Sequence, residues 1–150
     1  MFTGKDVKMV DITSKKEVYR EAVASGKIIL RKETLEKIVK GEIEKGNVFN
    51  VATVAAILAT KRTWELIPLC HPIPITNVKV DFAMDENSIV VKVIVKTTAK
   101  TGVEMEALTG VTIALLTIWD MVKKYEKDEK GQYPFTRIVD VKVESKIKRE

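Results

Sequence analysis

From Glu104 to about Lys127, apolar side chains at Met105, Leu108, Val111, Leu115, Ile118 and Val122 recur every three or four residues, the spacing that lines one face of an α-helix. The acids of this stretch fall early and its lysines late, as the helix macrodipole favours, so a long helix is expected. A second run, Val48 to Ala59, is apolar nearly all round. A helix of that kind needs burial on more than one side, which implies a partner subunit. Around Asp85-Glu86-Asn87-Ser88, Val78–Met84 and Ile89–Thr98 alternate apolar and polar residues, predicting two strands joined as a hairpin.

Arg137 to Lys146 alternates more roughly and reads as a last strand after the breaks at Gly131 and Pro134. Lys27–Arg31 reads as an earlier strand. A short helix follows, with Thr34 offered as N-cap, Leu35, Ile38 and Val39 at helical spacing, and Gly41 near its end. Pro68, Pro72 and Pro74 exclude a regular helix between them. Residues 1–15 read as loose, 1–8 as a free N-terminal stretch, Asp11-Ile12-Thr13-Ser14 as a turn and 145–150 as a basic tail. The order is strand, helix, helix, strand, strand, helix, strand. It suggests an α+β fold in which helices cover one face of an antiparallel sheet, the ferredoxin-like layering. No repeat, linker or low-complexity segment divides residues 1–150, so one domain is expected.

Composition narrows the class. A chain of 150 residues that is 45% hydrophobic and 31% charged can bury one good core without covalent staples. A single cysteine forms no internal disulfide, and no basic start leads into an apolar h-region, so a cytoplasmic protein is expected. The apolar runs are broken by Thr or Asn short of the roughly 20 residues of a membrane span, so no membrane partner is expected. The net charge of +5 points to an anionic partner, with lysines spread evenly apart from Lys146, Lys148 and Arg149. An RNA-binding sheet would carry aromatics on its central strands, yet Phe82 is the sole aromatic of the hairpin; an anionic small molecule fits better than nucleic acid.

Several polar motifs interrupt apolar sequence where packing alone asks for none. Asp120 and Lys123, three apart on the long helix, share a face and could pass protons, or could form a plain surface pair. Lys45 stands just before the apolar helix, where the macrodipole disfavours a cation, so an anion should offset it. Lys61 and Arg62 suit the dipole at the far end of that helix. Cys70 and His71 are neighbours with no second His or Cys to complete a zinc site. Glu104 and Glu106 are placed to favour the start of the long helix. Fourteen positions separate Glu106 from Asp120, about 21 Å along a helix, so a site using both would draw them from different chains.

The motifs KGNVF, ATKRTWELIPLCHP, KTGVEMEALT and WDMVKK, in this order between about Met9 and Lys124, resemble those of the cyclic pyranopterin monophosphate synthase family of molybdenum cofactor biosynthesis. The resemblance implies a ferredoxin-like subunit in a homohexamer, a trimer of dimers with sites at dimer interfaces. It implies a lyase that turns a cyclic dihydro-GTP intermediate into cyclic pyranopterin monophosphate and pyrophosphate. It further implies that Asp120, Lys123 and Lys45 are the catalytic groups and that Leu69, Cys70, His71, Met105 and Glu106 hold substrate, with Arg20, Lys61 and Glu104 as further contacts. No resident cofactor or metal site is implied, and Mg²⁺ assisting the triphosphate stays open. Asn47 stands where the family usually has Asp, and Val122 where Cys is common. The sequence ends at Glu150 without the family's Gly-rich tail, whose role would pass to Lys146 and Lys148.

Overall fold

A computed structural model describes residues 4–150; residues 1–3 of the expected loose start lie outside the described residues. The elements are β1 (Val18–Ile29), α1 (Lys32–Lys40), α2 (Val48–Lys61), the single turn α3 (Thr63–Leu66), β2 (Ile75–Met84), β3 (Ser88–Ala99), α4 (Glu104–Glu126) and β4 (Arg137–Arg149). All four strands form one antiparallel sheet in the order β2-β3-β1-β4, so the fold is α+β and ferredoxin-like. On β3, Ile89, Val91, Val93 and Val95 are fully buried, whereas Val90, Lys92, Ile94 and Lys96 on the opposite face are not, the period-2 pattern of a sheet with one covered face. The covering layer is α4 across β1 and β3, with α2 packed on α4 and β2.

Two glycines set how closely that layer sits. A Cβ at Gly26 of β1 would lie 2.7 Å from Leu115 and 2.9 Å from Val111, so the bare backbone lets α4 rest on the central strand. A Cβ at Gly110 of α4 would lie 2.5 Å from the Thr60 hydroxyl of α2. The two helices run antiparallel. Thr60, near the end of α2, donates to the Glu106 carbonyl at the start of α4 (3.3 Å), while Lys45, before α2, reaches Asp120 near the other end of α4.

Several boundaries differ from the sequence expectation. The first strand is Val18–Ile29 rather than Lys27–Arg31; Ala22, Ala24, Ser25 and Gly26 have poor strand propensity, but pairing with both β3 and β4 overrides it. Thr34 is not an N-cap. Arg31 holds that position without a side-chain cap, and Thr34 is buried inside the helix. Gly41 does close α1 in the left-handed region at φ 70°. β2 begins three residues earlier than expected, at Ile75, with the Pro74 carbonyl accepting from the Thr97 hydroxyl. The rough alternation of β4 reflects two bulges, near Val23/Ala24 and Ser25/Lys27 of its partner, with Asp140 at φ 57°. β4 also continues to Arg149, paired with Tyr19, so residues 145–149 form strand and not a tail. The 23-residue α4 is long and apolar enough to span a bilayer, contrary to the reading of short apolar runs; its Ala107, Val111, Ala114, Leu115, Ile118 and Val122 are instead the core of the fold.

One buried acid ties the ends together. Glu126 is fully buried and accepts from the Arg31 N–H (3.1 Å), from the Thr34 hydroxyl and from the Thr136 hydroxyl (2.6 Å), joining the start of α1, the end of α4 and the approach to β4. Glu126→Ala would leave two buried hydroxyls and the half-buried Arg31 N–H unpaired and is expected to lower unfolding free energy by about 2–4 kcal/mol, with Glu126→Gln losing roughly half as much. Denaturant unfolding at neutral pH checks this; a Glu126→Ala midpoint equal to the parent's would refute the account.

Candidate active site

Asp120 lies on the exposed side of α4, one turn before Lys123. The Lys123 ammonium is 3.1 Å from Asp120 Oδ1, while Lys45 Nζ donates to Asp120 Oδ2 (3.1 Å) and to the Asp120 carbonyl (3.0 Å). The anion that offsets Lys45 at the start of α2 is therefore this carboxylate. Lys45 is presented by a turn in which Gly46 N–H returns to the Ile43 carbonyl (3.0 Å) and Gly46 adopts φ 113°, a conformation suited to glycine. Asn47 then caps α2, its side chain accepting the Asn50 N–H at 2.9 Å, which an Asp there would do equally well.

The two ammonium groups, Lys123 first and Lys45 second, hold the Asp120 carboxyl below the ordinary carboxylate range. The side chains remain open to solvent in the single chain, Asp120 at 59% exposure. They rim a pocket of about 330 Å³ completed by Glu44, Met121, Lys124 and Tyr125. Asp120 and Lys123 also border a recess of about 390 Å³ walled by Leu116, Trp119 and Ile138. A carboxylate between two amines, with a polar hollow on one side and an apolar one on the other, can donate and accept protons beside a bound ring while holding anionic groups.

A second cluster occupies the opposite end of α4. Glu106 is buried, and Cys70 Sγ donates to its Oε2 at 3.7 Å while its Oε1 has no hydrogen-bond partner. Burial pushes the Glu106 carboxyl up. Burial, with the Glu106 charge next, pushes the Cys70 thiol up to about 11, so Cys70 is a neutral donor near pH 7 and not a nucleophile. Leu69 and Met105 are exposed nearby. His71 Nε2 lies 2.7 Å from the Val10 carbonyl, holding the N-terminal segment against the proline loop. Glu104 is met by Lys146 at 3.4 Å. Arg20 is buried, its guanidinium donating to the Ala99 (3.1 Å) and Lys100 (3.3 Å) carbonyls, and Lys61 is exposed in the last turn of α2.

The structure thus joins Lys45, Asp120 and Lys123 in one group and Leu69, Cys70, Met105 and Glu106 in another. It does not join the two groups within one chain, since some 21 Å of helix lies between Glu106 and Asp120. Glu44, Lys124, Tyr125, Leu116 and Trp119 around the first group were not singled out from sequence. Trp119 and Lys124 lie within the WDMVKK motif, and for the others the signal is position alone: Glu44 beside Lys45, Tyr125 two residues after Lys123 and Leu116 about one helical turn before Asp120. Among the described residues no group of three or more His, Cys, Asp or Glu side chains is placed to hold a metal ion.

Removing either ammonium takes away a charge that favours ionised Asp120, so its carboxyl must titrate at higher pH. Lys123→Met should raise the Asp120 midpoint more than Lys45→Met does, as followed by carbon NMR of the carboxyl through a pH series. A midpoint unmoved in both variants would disprove the shared-carboxylate geometry.

Residues 9–148 match the model of the MoaC family. A Pyrococcus furiosus protein named probable cyclic pyranopterin monophosphate synthase is 58% identical over 146 residues, covering 97% of this chain and 94% of its own. A Pyrococcus horikoshii protein of the same name is 62% identical over 144 residues, covering 96% and 91%. A Methanothermobacter thermautotrophicus protein named probable cyclic pyranopterin monophosphate synthase accessory protein is 56% identical over 146 residues, covering 97% and 92%.

Proposed function

Since the chain belongs to the MoaC family, we propose that it is a cyclic pyranopterin monophosphate synthase of molybdenum cofactor biosynthesis, a lyase converting a cyclic dihydro-GTP intermediate into cyclic pyranopterin monophosphate and pyrophosphate. The observation that carries the reading is the Asp120 carboxylate held between Lys45 and Lys123, all inside motifs of that family. Opening one ring and closing the pterin requires several proton transfers, for which Asp120 ionised at neutral pH is the base and the two ammonium groups are the acids. In the phosphate step, a sugar hydroxyl oxygen attacks the α-phosphorus, its proton passes to the base, and the bond to the departing pyrophosphate breaks as lysines stabilise the developing charge. Lys123, Lys45 and Lys124 border the pocket where that charge would fall. No resident cofactor is proposed; any Mg²⁺ would arrive with the triphosphate.

Leu69, Cys70, His71, Met105 and Glu106 would hold the substrate's ring and sugar, with Arg20, Lys61 and Glu104 in support. Because one chain separates these residues from Asp120 by the length of α4, each site would combine the Asp120 end of one subunit with the Glu106 end of another. Exposed Val51, Val54 and Leu58 on α2, followed by Trp64, Leu66 and Ile67, are apolar surface that such a neighbour would cover. A homohexamer built as a trimer of dimers, working in the cytoplasm, fits this requirement.

Asp120→Ala or Lys123→Ala should abolish pyrophosphate release while leaving the fold and assembly unchanged. Near-normal turnover in both would dismiss the assignment. Co-expressing Asp120→Ala with Glu106→Gln should restore about a quarter of parental activity, because a mixed dimer holds one site with neither change; no recovery from two inactive parents would place the site within a single chain. One relative's name as an accessory protein favours a second reading, binding without turnover, and that reading requires single-turnover mixtures of the parent protein with substrate to release no pyrophosphate.

A further inference from the structure

We propose that Tyr125 is a positioning residue for the Lys45 amine: its hydroxyl, together with the Lys124–Glu44 ion pair, clamps the turn that carries Lys45 onto Asp120. The inference rests on the reading of Lys45 and Asp120 as a reacting pair. Between the buried Ile43 and the cap residue Asn47 the chain makes a tight turn, with Glu44 and Lys45 as its two central residues and the Gly46 N–H closing it on the Ile43 carbonyl. Lys45 extends from the second of these residues. The first is fixed from α4 at two points: the Tyr125 hydroxyl accepts the Glu44 N–H at 2.9 Å, and the Lys124 ammonium pairs with the Glu44 carboxylate.

Tyr125 is itself well anchored. Its ring packs against the core, with Lys37 Nζ at 5.6 Å and Lys124 Nζ at 5.5 Å from the ring centroid. It sits on the same helix as Asp120, just over one turn further on, so the clamp and the carboxylate move as one body. The turn's own bond sets its shape but not its distance from α4. The α2–α4 seam and the buried Ile43 bring the turn near α4, Tyr125 and Lys124 hold its Glu44 corner in place there, and Gly46 in the left-handed region gives the turn little stiffness of its own. Without the clamp, the long lysine stem would sample positions away from Asp120.

The charged and titratable groups facing Asp120 are Lys123 on its own helix and Lys45 on the turn, with Glu44, Lys124 and Tyr125 on the rim of the same pocket; β4 contributes the apolar Ile138. Releasing Lys45 removes one of the two ammonium groups that favour the ionised carboxylate, so the Asp120 midpoint rises. A hydroxyl that merely stabilised the fold would leave that midpoint in place.

The test compares the parent protein, Tyr125→Phe and Tyr133→Phe by carbon NMR titration of the Asp120 carboxyl, thermal unfolding and the rate of pyrophosphate release. Tyr133 serves as a control because it meets Trp119 edge-on at 5.2 Å and is not among the residues lining the pocket beside Glu44 and Lys45. Tyr125→Phe keeps the ring and should fold as the parent does. Its Asp120 midpoint should move upward, in the direction of Lys45→Met and by less, and its kcat should fall roughly three- to tenfold, the effect of one lost hydrogen bond. An Asp120 midpoint that stays at the parent's value in Tyr125→Phe, or that moves equally in Tyr133→Phe, would overturn the proposal. Absence of pyrophosphate release in the parent would sink the functional reading alone, since the titration still decides whether the clamp exists.

Discussion

The antiparallel seam between α2 and α4 is the constraint on which the rest depends. Gly110 lets the helices approach until the Thr60 hydroxyl occupies the space a side chain would need, and Thr60 then bonds to the first turn of α4. That contact fixes the register. With the end of α2 locked beside Glu106, the turn before α2 must come out beside Asp120, and Lys45 reaches across the remaining gap. Loosening the seam would separate both groups of polar residues at once, although neither group includes Gly110 or Thr60.

The two ends of α4 place their acids in opposite electrostatic settings. Asp120 stands in solvent between two ammonium groups and is held ionised, whereas Glu106 is buried beside an uncharged thiol and its proton affinity is raised. Two carboxyls on one helix are thereby given different proton affinities by environment alone, which is the arrangement acid–base chemistry needs when one carboxyl must start ionised as a base and the other holds its proton more tightly. In the single chain the Asp120 pair is a surface feature, and water screens most of its attraction. Covering it with a second subunit would strengthen every charge interaction in the cleft, so assembly and chemistry would be coupled.

Much of this was legible in the sequence. The period of α4, the hairpin of β2 and β3, and the apolar run of α2 follow from local chemistry and emerge close to the expected residues. Elements whose stability comes from pairing were harder to see. β1 is rich in small residues because α4 must rest on it at Gly26, and that requirement erases the strand signal that a sequence window looks for. Thr34 resembled a cap because Thr often is one, but the buried Glu126 recruits its hydroxyl from ninety-two positions away. At the candidate site, Asp120, Lys123 and Lys45 stood out by residue type and position. Tyr125 did not, because an ordinary apolar-face aromatic and a hydroxyl that fixes a distant turn look the same along the chain.

The length of α4 bears on the proposal that the site is shared between subunits. A helix long enough to cross the sheet carries its first and last turns too far apart for one small substrate to touch both. A single chain could bring them together only by breaking the helix, which would expose Leu115 and Ile118 and dismantle the core against β1. Two copies related by a twofold axis avoid that conflict, because the axis can place one chain's Asp120 turn beside the other's Glu106 turn while both helices stay straight. The same operation would generate two equivalent clefts, and it would offer cover to apolar residues such as Leu58 and Trp64 that a lone subunit leaves in water. Under the proposed reading, sharing the site would follow from the fold's core: the helix that stabilises each subunit would also keep any one subunit from completing the chemistry alone.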